Sequence, residues 1–142
     1  MVLRATDPAV TLRMKLVKSK GTKLEKQLHE RLKREKVSFK YQEIISGIKY
    51  KPDFILKKYR IAILVNGCFW HVCPRHCSWP KTNADWWRAK LLANVKRDRK
   101  IDRILRQNGW SVVHIWEHEK LDHAMTRVRC MIRRKCDPVF GW

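Results

Sequence analysis

A chain of 142 residues is long enough for one domain with a real core and too short for two. With 44% apolar and 32% charged residues it is a folding sequence rather than a disordered one, and no apolar run approaches the roughly 18 residues that a membrane-spanning helix needs. Thirty-three Lys and Arg against thirteen Asp and Glu leave a net charge of +20, a self-repelling field that calls for an acidic partner: nucleic acid first, an anionic membrane surface as the rival.

The chain opens with a basic stretch, residues 1–21, that has little periodicity and closes on Lys18-Ser19-Lys20-Gly21; it reads as an arm. It lacks the apolar segment of a secretory signal, so a cytoplasmic, reducing setting is expected, with nucleoid association during action. Thr22 and Glu25 have the spacing of a capping box, and Leu24, Leu28 and Leu32 recur every four residues, which predicts a helix over about 22–36. Pro52–Leu56 and Ile61–Val65 are β-prone runs joined by the short polar stretch 57–60; they predict a hairpin whose second strand ends at Asn66-Gly67. Residues 68–82 read as loop. Asn83 is placed to cap a long helix running to about Gln107, which Asn108-Gly109 would stop. Trp110–Trp116 reads as a third strand, and a last helix over about 119–135 ends in Arg133-Arg134-Lys135. This order gives a mixed sheet flanked by helices, an α/β or α+β arrangement. Residues 22–120 would form the main domain, with 121–142 a basic helix and tail packed on it or extending it.

The long helix carries an anomaly. At about 100° per residue, Trp87, Leu91, Val95, Ile101 and Leu105 share an arc of roughly 120°, and Asn94 and Asp98 fall in the middle of it. An amide and a carboxylate on a buried face need partners. Either they make a structural contact, to Arg97, Arg99 or nearby backbone, or the face looks into an active site. Asp53 raises the same question at the start of a strand. A carboxylate in so positive a field is a hard oxygen ligand for Mg²⁺, while Pro-Asp at that place is also an ordinary turn arrangement. Glu25 has a complete structural explanation as a capping residue.

Three of the five cysteines, Cys68, Cys73 and Cys77, crowd into ten residues with His76, and His118 follows the third strand. In a reducing compartment this density favours a metal over disulfides, and tetrahedral Zn²⁺ takes such thiolate and imidazole ligands from a local cluster plus one distant element. Cys68 and Cys73 are the firmest ligands, His76 and Cys77 compete for the third place, and His118 supplies the fourth. Such a closed site is structural, so any metal that cuts would be another ion.

The segments Lys18–Glu25, Pro52-Asp53-Phe54, Gly67–His76, Asn94–Arg99, Gly109-Trp110 and Val113–Glu119 together resemble the very-short-patch repair (Vsr) endonucleases, in order and spacing, over roughly residues 14–120. The resemblance implies a restriction-endonuclease-like α/β fold with a structural zinc. It also implies Mg²⁺-dependent nicking on the 5′ side of the mismatched thymine in a T·G pair of double-stranded DNA, the lesion left when 5-methylcytosine deaminates. By resemblance Asp53 holds the magnesium, His71 acts near the attacking water or the scissile phosphate, and Glu25, Asn94 and Asp98 surround the hydrated metal. Phe69, Trp70 and Trp87 match aromatics that wedge into the DNA stack, and a wobble pair is easier to unstack than a matched one. Zinc ligation or a phosphate contact is the competing role for His71, and core packing for Trp70 and Trp87, with Trp86 the exposed neighbour in that case. Lys18, Lys20, Arg97 and Arg99 are expected to grip phosphates. Asn66 departs from the family pattern, standing where its best-known members carry a second active-site histidine. The expected working form is a monomer on DNA, with mismatch-repair proteins as candidate partners. The alternatives are a restriction or mobile-element nuclease of the same fold, and a catalytically silent zinc-dependent DNA-binding module.

Overall fold

The computed structural model describes residues 23–68, 71–73, 75 and 79–136. Seven elements run in the order α1 (Lys23–Arg34), β1 (Lys40–Tyr41), β2 (Phe54–Leu56), β3 (Ile61–Asn66), α2 (Ala84–Gln107), β4 (Ser111–Trp116) and α3 (Leu121–Cys136). The strands form one mixed sheet in the order β1-β2-β3-β4, antiparallel except for the parallel pair β3–β4. A parallel pair requires a crossover, and α2 is that crossover. The expected α/β class and the β2–β3 hairpin are therefore both present. β1 and the isolated Ile45–Tyr50 bridge are additions that the sequence pattern did not announce.

Side-chain alternation along the strands builds two cores, one on each face of the sheet. On one face Phe54, Leu56, Ile61, Ile63, Val65, Val113 and Ile115 pack against Leu24, Leu28 and Leu32 of α1 and Ala124, Met125 and Val128 of α3. On the other, Ile55, Ala62, Leu64 and Val112 meet Leu105 of α2, with Ile101 packed alongside. Burial on both faces explains why β3 reads as an unbroken apolar run instead of an alternating one. α3 is thus a packed part of the domain and not an appendage. Arg129 of α3 also pairs with Glu35 just beyond α1, and Arg31 of α1 bonds Asp122 at 3.2 Å.

The two ends of α2 are closed differently. Its C-terminus closes with Gly109 at φ +83, where Trp110 N–H donates to Leu105 O (3.0 Å) and Gly109 N–H to Arg106 O (3.1 Å), the glycine-ended stop expected there. The N-terminus departs from the expected cap. Asn83 stands at the cap position but makes no side-chain cap bond. Its backbone is left-handed (φ 53), outside the extended region from which a cap side chain reaches the first-turn amides. The Thr22 half of the capping box lies outside the described residues. Its partner Glu25 is buried, and its carboxylate accepts from Tyr41 Oη (2.6 Å) and Gln42 Nε2 (3.3 Å).

Candidate active site and metal centre

The second core does not fill the whole face that α2 covers. Leu91 and Leu105 are buried, but Asn94, Val95, Asp98 and Ile101 between them are only partly covered. The sheet beneath turns polar at the same end. Asp53 shares its face with Ile55, Asn66 with Leu64, and His114 with Val112. The result is a cleft of about 450 Å³ whose lining includes Asp53, Asn66, His71, Asp98 and His114, with Tyr50, Lys51 and Arg97 around them.

The backbone sets each group in place. Asp53 precedes β2, and its Oδ2 accepts the amide of Val65 on the neighbouring strand at 2.8 Å, which fixes the carboxylate against the sheet. His71 sits in the turn after β3, where its amide donates to Gly67 O (3.1 Å), and its Nδ1 lies 2.5 Å from Asp98 Oδ2. A carboxylate only accepts, so Nδ1 carries the hydrogen and Nε2 is left as the ring's proton acceptor. Tyr50 Oη is pushed up to about 12, by burial first and then by the charges of Asp53 and Asp98, so it stays a neutral phenol. Tyr41 is likewise raised to about 12 by burial and then by its bond to Glu25. Two carboxylates, Asp53 and Asp98, thus share one cleft with Lys51 and Arg97.

Of the sequence candidates, Asp53, His71 and Asp98 are brought together. Glu25 and Asn94 are not cleft-lining residues: Glu25 reaches the region through Tyr41 and Gln42, and Asn94 lies partly buried one turn before Asp98. Arg97 is on the cleft wall, and Arg99 lines adjoining hollows on α2. Trp87 is 4% exposed and meets Trp86 edge-on at 4.8 Å, so it is an enclosed ring and Trp86 is the more exposed of the two. Lys18, Lys20, Phe69, Trp70, His76 and Cys77 lie outside the described residues. His114 and Asp102 were not singled out by the sequence reading. A histidine in the middle of Val112–Trp116 is the same kind of signal, a polar residue in a buried run, that singled out Asn94 and Asp98.

A second cluster lies at the adjoining strand ends. Cys68 Sγ is 3.2 Å and Cys73 Sγ 3.6 Å from His118 Nδ1, and the three ligand atoms lie within 4.8 Å of one another. Ligands about 2.0–2.3 Å from a tetrahedral zinc would be roughly 3.6 Å apart, so the set fits three corners of such a site. The parallel pairing of β3 and β4 carries Cys68 and His118 side by side. Glu117 strengthens the junction by accepting the Cys68 amide at 2.8 Å, and the Trp116 ring stacks near His118. Burial first, then the neighbouring Cys73 thiol, pushes Cys68 up to about 12. Cys130 and Cys136 are exposed and apart from this cluster. No helix among the described residues is long and apolar enough to cross a membrane.

A mixed sheet wrapped by helices, with carboxylates and a histidine at one open end, has the architecture of restriction-endonuclease-like nucleases. The solved catalytic domain of the homing endonuclease I-Bth0305I is similar in fold, with a TM-score of 0.50 over 81% of this chain and 94% of that one at 22% identity. The family model described as DNA mismatch endonuclease Vsr matches residues 6–78. The chain is 40% identical over 113 residues to the type II nicking enzyme V.NaeI of Lentzea aerocolonigenes, covering 76% of this chain and 67% of that protein. It is 34% identical over 122 residues to the DNA mismatch endonuclease Vsr of Escherichia coli K12, covering 80% and 76%. The chain belongs to the Vsr DNA mismatch endonuclease family and is a DNA endonuclease.

Proposed function

We propose that this endonuclease nicks one strand of double-stranded DNA on the 5′ side of the thymine in a T·G mismatch, with Mg²⁺, and so starts very-short-patch repair of deaminated 5-methylcytosine. The observation that carries the reading is the meeting of Asp53 with the His71–Asp98 pair in one cleft. An oxygen donor beside space for water fits Mg²⁺, which keeps most of its hydration and takes one or two carboxylates. When bound, the ion supplies charge neutralisation at the scissile phosphate. The chain's own groups do the rest. Asp53 holds the cation, His71 Nε2 accepts the proton of the attacking water, and Asp98 keeps that nitrogen bare and aimed. Arg97 and Lys51 offer cations to the flanking phosphates. Glu25 and Asn94 act as outer supports of the site. Phe69 and Trp70 enter the stack beside the mismatch, and Trp86, the more exposed ring of its pair, joins them while Trp87 packs inside.

Cys68, Cys73 and His118 are assigned to structural Zn²⁺, with His76 or Cys77 as the remaining ligand. The names of the relatives, a nicking enzyme and a mismatch endonuclease, support a single-strand cut and a mismatched target. The test is a set of otherwise identical duplexes carrying T·G, T·A or C·G, each incubated with the protein and Mg²⁺. Nicking confined to the T·G duplex is expected, and equal cutting of all three would show a nuclease with another target.

A further inference from the structure

α2 presents two carboxylates to two histidines, one helical turn apart. Asp98 pairs with His71, and Asp102 Oδ1 pairs with His114 Nε2 at 2.8 Å. The ring of His114 is held on its other side as well, with Nδ1 3.3 Å from Asn66 Nδ2. Asn66 ends β3, His114 lies on the adjacent parallel strand opposite Leu64, and both side chains face α2. All three residues are thus fixed by regular structure, and both Asn66 and His114 line the cleft that holds Asp53 and His71.

The hydrogen bonds fix the orientation of the Asp102–His114–Asn66 series. The Asp102 carboxylate only accepts, and its other oxygen already receives Arg106 Nε at 3.1 Å. His114 Nε2 must therefore carry a hydrogen, and the neutral ring has a bare Nδ1. A bare nitrogen only accepts, so the Asn66 amide must turn its NH₂ toward His114, in agreement with the observed pairing. Asn66 is only 8% exposed, so its amide is packed in place. Asn66 Oδ1 has no protein partner among the described residues.

We propose that His114 is a positioning residue for DNA cutting: locked by Asp102, it sets the Asn66 amide so that Oδ1 is presented to the cleft as an acceptor for a proton of bound water. A neutral carbonyl oxygen orients such a water without removing its proton, a role complementary to that of His71 Nε2. The inference rests on reading the cleft as the place of cutting.

A cycle of single-turnover measurements tests it, using Asn66→Ala, His114→Leu and the double variant of the full chain on a T·G duplex with Mg²⁺. His114→Leu should slow cutting by on the order of 10²-fold, the scale of a misplaced group, with duplex affinity without Mg²⁺ kept within about twofold. In the Asn66→Ala background the same change should cost nothing further. Losses that multiply, or a His114→Leu rate equal to wild type while Asp53→Ala is inactive, would overturn the relay. If Asp53→Ala itself still cuts, the reading of the cleft fails first and the relay with it. Nitrogen-15 NMR gives an independent check that does not depend on the leucine variant folding. The neutral His114 ring should be the Nε2–H tautomer in wild type and a mixture in Asp102→Asn; an Nδ1–H ring in wild type would refute the proposal.

Discussion

His71 and Asp98 are 27 residues apart in sequence, yet Nδ1 of the one lies 2.5 Å from Oδ2 of the other. One stands in the turn that leaves β3 and the other in the middle of the crossover helix that returns to β4. The pair therefore forms only when the β3–α2–β4 unit is complete. Its formation fixes which imidazole nitrogen is left to accept a proton, and that ties the fold to the chemistry of the cleft.

Removing the ring should remove that proton acceptor. His71→Ala is expected to lower the single-turnover rate by on the order of 10²–10⁴-fold, the usual worth of a positioned general base. Asp98→Asn keeps the shape but no longer dictates the tautomer, so it should cost less than His71→Ala. Rapid-quench assays on a mismatched duplex measure both losses. A His71→Ala enzyme with the wild-type rate would remove the ring from the mechanism.

The Cys68–Cys73–His118 cluster joins the end of β3 to the end of β4, and a metal held there would staple the two. Cys68→Ser should lose bound zinc and lower the melting temperature, because metal affinity in such a site is also folding free energy. Elemental analysis and a thermal melt of the same preparation check this. Retention of both zinc and the wild-type melting temperature would refute the structural role.

How much of this was readable beforehand differs by element. The α1 leucines, the β2–β3 hairpin and the span of α2 follow from periodicity and turn residues, and the structure shows each within a few residues of its expected limits. β1 was not legible, because two exposed residues, Lys40 and Tyr41, give no alternation to detect. Asn94 and Asp98 stood out as polar residues on an apolar arc; the cleft accounts for Asp98, while Asn94 lies outside its lining. Asp53 looks as much like a turn residue as a ligand in the sequence; its bond to Val65 fixes it at the sheet end, and it shares the cleft lining with His71. The Asp102–His114–Asn66 chain escaped notice because its members are 12 and 48 residues apart, and only the parallel β3–β4 register and the α2 crossover bring them together.

Glu35 and Arg129 tie the end of α1 to α3. The Arg129 hydrogen bond, opposed by partial burial and helped by the charges of Arg129 and Arg31, holds the Glu35 carboxyl below its ordinary 4.5. A carboxyl depressed in the folded state contributes stability above its unfolded value, and that contribution is lost as pH falls through the folded value. Glu35→Gln should therefore lower the melting temperature by a few degrees at most at pH 7, since the pair is largely solvent-screened. The gap between variant and wild type should close as the pH drops below 4.5. Melts recorded across that range decide it, and a gap that widens in acid would contradict the assignment.

Arg97 and Arg99 lie on the exposed side of α2 next to the cleft. If each neutralises one phosphate, Arg97→Ala should weaken duplex binding at low salt and reduce the slope of log K against log salt by roughly 0.9. Binding isotherms at several salt concentrations give both quantities. An unchanged slope would place the DNA backbone elsewhere.

Asp53 and its neighbours are proposed as the centre that cuts a strand at a T·G pair. The most direct measurement is the strand-resolved single-turnover rate of Asp53→Ala against wild type on one T·G duplex with Mg²⁺, alongside duplex affinity measured without the metal. The expected result is a single nick 5′ of the mismatched thymine for wild type, and for the variant a rate reduced by at least about 10³-fold, the scale of a lost charge-stabilising group, with affinity retained. An Asp53→Ala protein that nicks the T·G strand at the wild-type rate would contradict it.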